Sequence, residues 1–199
     1  MLATLVLVVA AYLVGSISFA VVVSKVFNLP DPHDYGSGNP GATNVLRTGN
    51  RTAALVTLLG DGLKGFAAVL AATMLAPATG AADWTVPAVA IAVLVGHCWP
   101  VFHGFAGGKG VATGAGIVFA LNWPLGLTLT IVWLVMAYGF RISSLAGLTT
   151  AVLMPLGMFW VAGNTLVSWA MVPIAAILVW RHKANIQQLM AGNERSIGR

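Results

Sequence analysis

Mainly apolar stretches recur along almost the whole chain, at residues 2–27, 52–75, 84–99, 122–138, 143–161 and 165–180, with a shorter one at 111–121. A helix needs about 20 such residues to cross a hydrocarbon core about 30 Å thick, so a succession of these runs leaves little choice of solvent. The remaining composition agrees. With 58% hydrophobic and 8% charged residues and a mean hydropathy of +0.89, the 199-residue chain is too apolar and too poor in charge for a soluble domain. The expected fold is therefore all-α, a polytopic transmembrane helix bundle forming one domain over residues 1–199.

Other classes drop out on simple grounds. The net charge of +5 is spread one or two residues at a time between apolar runs, unlike the basic stripe of a nucleic-acid binder. A lone cysteine, Cys98, cannot build an intrachain disulfide and reads as a packing residue. The first apolar run has no Lys or Arg before it and continues past Gly15, so it reads as a permanent helix rather than a signal peptide.

The short run at 111–121 sets the topology. If it crosses, basic and non-basic connections alternate: Arg47 and Arg51, then none, then Lys109, then none around Asn122, then Arg141, then none around Gly163, then Arg181 and Lys183. The positive-inside rule then predicts seven helices with the N-terminus outside and the C-terminus cytoplasmic. All the polar, glycine-rich sequence falls on the cytoplasmic face.

Two of those segments suit anions. Residues 36–44 read Gly-Ser-Gly-Asn-Pro-Gly-Ala-Thr-Asn; Gly36, Gly38 and Gly41 allow backbone N–H groups to converge, while Ser37, Asn39, Thr43 and Asn44 add short side-chain donors. Arg47 supplies a planar fork matched to phosphate oxygens. The plain alternative is a turn-rich linker, against which the density of donors ahead of an arginine argues. In the second segment, Gly107, Gly108, Lys109 and Gly110 lead into the 111–121 run, where a helix N-terminus would present free N–H groups to a phosphate. It is not a Walker A loop, because Gly110 follows Lys109 where that motif has Ser or Thr. A snorkelling lysine at a glycine hinge is the competing reading.

Asp61 and Lys64 lie three residues apart within an apolar run, where each alone would cost about 2.5–3.5 kcal/mol. A structural ion pair that positions the loop before it is expected, with direct chemistry as the alternative. His97 and His103 lack the ligand spacing of a zinc site, so no metal is expected, and His33 reads as a surface residue. After the last run, His182 and Asn185 share a helical face, with Glu194 further along; these either meet a substrate or accompany a basic lipid anchor at Arg181 and Lys183. A transporter would also explain intramembrane charge, but its site would lie near the midplane. A non-catalytic assembly factor would need none of these anion-binding groups.

With these residues in view, the chain closely resembles the bacterial membrane family of acyl-phosphate:glycerol-3-phosphate acyltransferases. The resemblance rests on Gly15-Ser16-Ile17, residues 36–47, Asp61 with Leu63-Lys64-Gly65, residues 96–113, and Arg181-His182 through Asn185-Ile186 to Glu194. Two departures are Ser18, where the family commonly has proline, and Ala106, often basic in the family.

The resemblance implies an enzyme of the bacterial inner membrane, with its active site at the cytoplasmic face. It would transfer a fatty acyl group from acyl phosphate to the 1-hydroxyl of sn-glycerol 3-phosphate, releasing phosphate and 1-acylglycerol 3-phosphate (lysophosphatidate) for phospholipid biosynthesis. Neither acyl-CoA nor acyl carrier protein is used directly. The functional positions carried over are Ser37, Arg47, Lys109, Ser144, His182, Asn185 and Glu194. An acyl phosphate is a mixed anhydride and already activated, so positioning and charge stabilisation suffice, without a protein nucleophile, a metal or a cofactor. On this reading the backbone of Gly107, Gly108 and Gly110 with Lys109 binds the acyl-phosphate headgroup. Arg47, Ser37, His182 and Asn185 hold glycerol 3-phosphate, and Gly38, Asn39, Asn44, Ser144 and Glu194 complete the binding surface. The hydroxyl proton passes either to a substrate phosphate, the preferred reading, or to His182.

Overall fold

The computed structural model describes residues 1–197, and all of the regular structure among them is helical. In chain order the helices are α1 (Leu2–Gly15), α2 (Phe19–Val26), α3 (Ala42–Leu46), α4 (Arg51–Ala78), α5 (Thr85–Cys98), α6 (Val111–Leu121), α7 (Trp123–Phe140), α8 (Ser143–Ala162), α9 (Leu166–Arg181) and α10 (Lys183–Met190). Four are long and apolar enough to cross a membrane, α5 counted with the turn that follows it to His103, and the bent α1–α2 pair would be a fifth if it crosses as one broken span; α6 and α9 are apolar but shorter. Leu5, Leu58, Ile131, Leu156 and many like them are exposed, an apolar girdle that only lipid would cover. The fold is thus all-α and multi-pass.

The first apolar run is two helices rather than one, bent by 43°. No proline causes this. Ser18 caps α2 by accepting from the Val21 N–H, and the Ile17 carbonyl, released from the helical ladder, accepts from Lys64 Nζ at 2.8 Å. A free carbonyl at membrane depth must find a donor. Lys64 is in turn neutralised by Asp61 at 3.0 Å, and Asp61 also lies 3.5 Å from His97 Nδ1. The pair therefore buttresses the break in the first span, not the loop before α4.

Glycines set how closely the helices pack. A Cβ on Gly116 of α6 would strike the Gly62 carbonyl of α4, and one on Gly65 would strike the Thr113 carbonyl, so α4 and α6 meet backbone to backbone. Thr113 Oγ1 donates to the Asp61 carbonyl across the same seam at 3.0 Å. Gly15 of α1 and Gly96 of α5 make a similar close approach. Val93, Leu94, Ile117, Met171, Ile174 and Leu178 fill the core between α5, α6 and α9.

At Asn122 the chain doubles back. Asn122 caps α7 by accepting from the Leu125 N–H at 3.0 Å, and Gly126 lies against Phe119, which could not happen if α6 ran on into α7. The end of α7 consequently returns to the end of the bundle where α6 begins. There Ser143 meets Thr43 at 3.1 Å and Ile197 N–H donates to the Arg141 carbonyl at 2.7 Å. At the other end, Thr4 bonds to Thr85 and receives the Ala82 N–H. The polar segments all gather at one end.

Candidate active site

The loop between α2 and α4 is organised from within by Asn44. Its side-chain oxygen accepts from the N–H and hydroxyl of Ser37 at 3.0 and 3.2 Å, and its amide donates to the carbonyls of Pro32 and Tyr35 at 2.9 and 3.1 Å. All four hydrogen-bonding positions of a buried amide are used. Asn44, expected as a substrate ligand, is instead the residue that shapes the loop and aims Ser37. Gly36 has φ +61, and a Cβ there would run into the Asn44 oxygen and Arg47, so only glycine fits. Gly38, at φ +65, and Asn39 form the outer part of the loop.

His33 is a tether rather than a bystander. Its Nε2–H donates to the Ala106 carbonyl at 3.0 Å while Nδ1 meets the Asp31 carboxylate at 2.6 Å, which links this loop to the glycine-rich one. In that second loop the expected amide cradle is only partly available. The Gly108 N–H donates to the His97 carbonyl at 3.1 Å, and the Arg181 guanidinium donates to the carbonyls of Gly107 and, at 3.0 Å, Gly108. Arg181 also lies 5.6 Å from the Trp99 ring centre. The glycines are needed for close packing: a Cβ on Gly108 would strike the His97 ring. Gly107 and Gly110 reach cavity walls; Gly108 does not.

Lys109 projects from this clamped loop and donates to Asn185 Oδ1 at 2.6 Å. Asn185, in the first turn of α10, donates through Nδ2 to Glu194 Oε1 at 2.6 Å, and Ser144 at the start of α8 donates to the same oxygen at 2.7 Å. A continuous chain thus joins Lys109, Asn185, Glu194 and Ser144 from three separate regions of sequence. Burial holds the Lys109 pKa below an ordinary lysine's, with Glu194 opposing that shift and Arg47 and Arg181 adding to it. Arg47 is lowered likewise, by burial first and then by the neighbouring Arg195.

His182 sits between α9 and α10 and is 2% exposed. Its Nδ1 lies 2.7 Å from the Leu178 carbonyl, which can only accept, so Nδ1 carries the proton and Nε2 keeps a lone pair. Burial pushes its pKa down to about 4, partly opposed by the Leu178 bond and Glu194. At neutral pH His182 is an uncharged acceptor. Among the charged groups beside it, Arg47 Nη1 and Glu194 Oε2 are buried without a hydrogen bond.

These groups surround two adjoining cavities, of about 300 and 420 Å³, which share walls at Ser37, Asn39, Arg47, Lys109, Asn185, Glu194 and Arg195. The first also takes in Gly110, Ser144 and His182 and continues along Ala115, Leu129, Leu134 and Met154 among α6, α7 and α8. The second is the more polar of the two, with Gly38, Gly107 and Gln188 in its wall. Residues missed in the sequence are Arg181, whose carbonyl clamp has no local signature, and Arg195, which followed Glu194 in plain view.

A family described as glycerol-3-phosphate acyltransferase matches residues 5–192. A glycerol-3-phosphate acyltransferase of Cupriavidus pinatubonensis is 54% identical over 197 residues, covering 99% of this chain and 98% of that one. One from Neisseria meningitidis serogroup C is 52% identical over 191 residues, covering 96% of each. Among solved structures, PlsY (YgiH), an integral membrane glycerol 3-phosphate acyltransferase in its glycerol 3-phosphate form, superposes with a TM-score of 0.91. It is 37% identical, with 98% of this chain and 96% of that chain covered. The lysophosphatidic acid form of the same enzyme gives a TM-score of 0.88 at 36% identity, covering 98% of this chain and 95% of that one.

Proposed function

The chain belongs to the glycerol-3-phosphate acyltransferase family, and from that premise we propose that its acyl donor is an acyl phosphate and its acceptor the 1-hydroxyl of sn-glycerol 3-phosphate. The products are 1-acyl-sn-glycerol 3-phosphate and inorganic phosphate. The observation that carries this reading is the pair of cavities meeting at Lys109 and Arg47, one rich in charged and polar side chains and one running into an apolar groove. Such a pair suits a water-soluble phosphate and a lipid-borne phosphate whose tail stays between the helices.

In this reading Lys109, with Gly110 and Ser144, faces the acyl-phosphate headgroup, and Arg47, Ser37 and Asn185 face glycerol 3-phosphate. The acceptor oxygen attacks the acyl carbonyl carbon, the bond from that carbon to the phosphate oxygen breaks, and the phosphate departs beside Lys109. Its negative charge is met by a cation already in place. His182 Nε2 accepts a hydrogen bond from the attacking hydroxyl and orients it, and the proton finishes on the departing phosphate. Glu194 holds Asn185 and Ser144 in register.

We place this site at the cytoplasmic face of the bacterial inner membrane, with seven spans counting the α1–α2 pair, α6 and α9. Every Lys and Arg among the described residues except Lys64 belongs to the site end of the bundle or the segments leading to it, as the positive-inside rule requires. A reporter fused at Asn122 should read as external; a cytoplasmic signal there overturns the topology.

The activity is tested with purified protein, acyl phosphate and glycerol 3-phosphate, following phosphate release and lysophosphatidate together. The two should form in equal amounts, with no product from acyl-CoA or acyl carrier protein. Product from acyl-CoA alone would overturn the donor assignment.

A further inference from the structure

Arg195 carries no expected role in the sequence, yet it lines both cavities at the place where they meet. The tail that bears it is pinned on either side: Glu194 by Ser144 and Asn185, and Ile197 by its N–H bond to the Arg141 carbonyl at 2.7 Å. Arg195 is thus presented at the cavity mouth by a fixed strap. Its side chain is exposed, and among the described residues no carboxylate lies within ion-pair distance of it.

Opposite, Arg47 leaves Nη1 buried and without a partner. The charge of Arg195 is felt at Arg47 more strongly than that of Glu194. Two guanidinium groups facing one polar cavity, one with an orphaned donor, form an arrangement that an anion between them would relieve. The charge balance agrees. Arg47 and Lys109 against Glu194 leave a net of one positive charge in the shared walls, and Arg195 makes it two. Each phosphate substrate brings about −1.5 to −2 at neutral pH. Arg181 cannot make up the difference, because its fork is spent on the carbonyls of Gly107 and Gly108.

We propose that Arg195 is a substrate-binding residue that, with Arg47, clamps the phosphate of glycerol 3-phosphate in the polar cavity. This rests on the assignment of that cavity to glycerol 3-phosphate. The planar fork of Arg195 closes the side of the phosphate that faces the cytoplasm, while Arg47 closes the buried side.

The test is steady-state kinetics of full-length Arg195→Gln and Arg195→Lys beside the parent protein, with each substrate varied separately and glycerol 3-phosphate binding read by titration calorimetry. Arg195→Gln should raise KM and Kd for glycerol 3-phosphate about tenfold, as expected for a lost charge-assisted bond, with kcat and the KM for acyl phosphate within about twofold. Arg195→Lys, a point charge without the fork, should recover about half of that loss on a logarithmic scale. An unchanged Kd for glycerol 3-phosphate, a rise confined to the acyl-phosphate KM, or a loss confined to kcat would overturn the proposal. If the parent protein binds glycerol 3-phosphate but does not use acyl phosphate, the donor assignment fails while the calorimetry still decides the role of Arg195.

Discussion

Lys109→Ala is expected to lower kcat/KM about a thousandfold while leaving the helical fold intact. Removal of one donor aimed at developing charge typically costs 10²–10³ in rate, and here the donor is a half-buried cation facing a departing phosphate. The loss should appear chiefly in kcat, because charge on the leaving phosphate grows as the acyl bond breaks. Lys109→Arg should rescue little: the ammonium is held at 2.6 Å from Asn185 Oδ1, and a longer planar fork would displace Asn185 from Glu194. Near-parent activity in Lys109→Ala, measured by phosphate release in detergent or nanodiscs, would remove Lys109 from the reaction. Because Gly107 and Gly108 are held by Arg181, the loop should keep its shape without the lysine.

His182→Ala is expected to raise the KM for glycerol 3-phosphate as much as it lowers kcat, with a combined loss of about 10²-fold. A hydrogen bond that orients a hydroxyl contributes to binding and to turnover, whereas a general base contributes about 10²–10⁴ to turnover alone. A fall in kcat of that size with unchanged KM would make His182 the base instead. The protonation state offers a second check. With its pKa pushed down to about 4 by burial, His182 stays neutral from pH 8 to about pH 5, and its ring resonance should not move over that range in histidine-labelled protein. A folded pKa below the usual 6.5 means the unfolded chain binds more protons between those two values. The contribution of His182 to stability is therefore full above pH 6.5 and is lost as pH falls toward 4. An acid limb of activity near pH 6 belongs to the phosphates, whose second ionisation lies there.

Several elements were readable from local pattern. The apolar runs at 52–75, 84–99, 143–161 and 165–180 became α4, α5, α8 and α9 with shifts of a few residues at their ends. The run at 2–27 misled. Its break at Ser16–Ser18 has no proline to announce it and depends on Lys64, 47 residues away, capturing the Ile17 carbonyl. The polar residues that line the cavity were likewise visible by type, since Arg47, Lys109, His182 and Asn185 are polar groups beside apolar runs. Their roles were less so. Asn44 looked like a ligand because a short amide in a glycine-rich loop suits an anion, but its four bonds are all internal.

Sequence alone settled the solvent, the helical class and the gathering of polar chemistry at one end of the bundle, because hydropathy and charge alternation are sums over neighbouring residues. Which polar groups meet is another matter. Lys109 and Asn185 are 76 residues apart, and Ser144 and Glu194 are 50 apart. Their contact depends on how α4, α6, α8 and α9 stack, and that stacking is set by backbone approaches at Gly62, Gly65 and Gly116 and by the reversal at Asn122. A shift of about 1 Å in such a crossing is enough to take a donor and acceptor out of hydrogen-bonding range, and no local pattern carries that information.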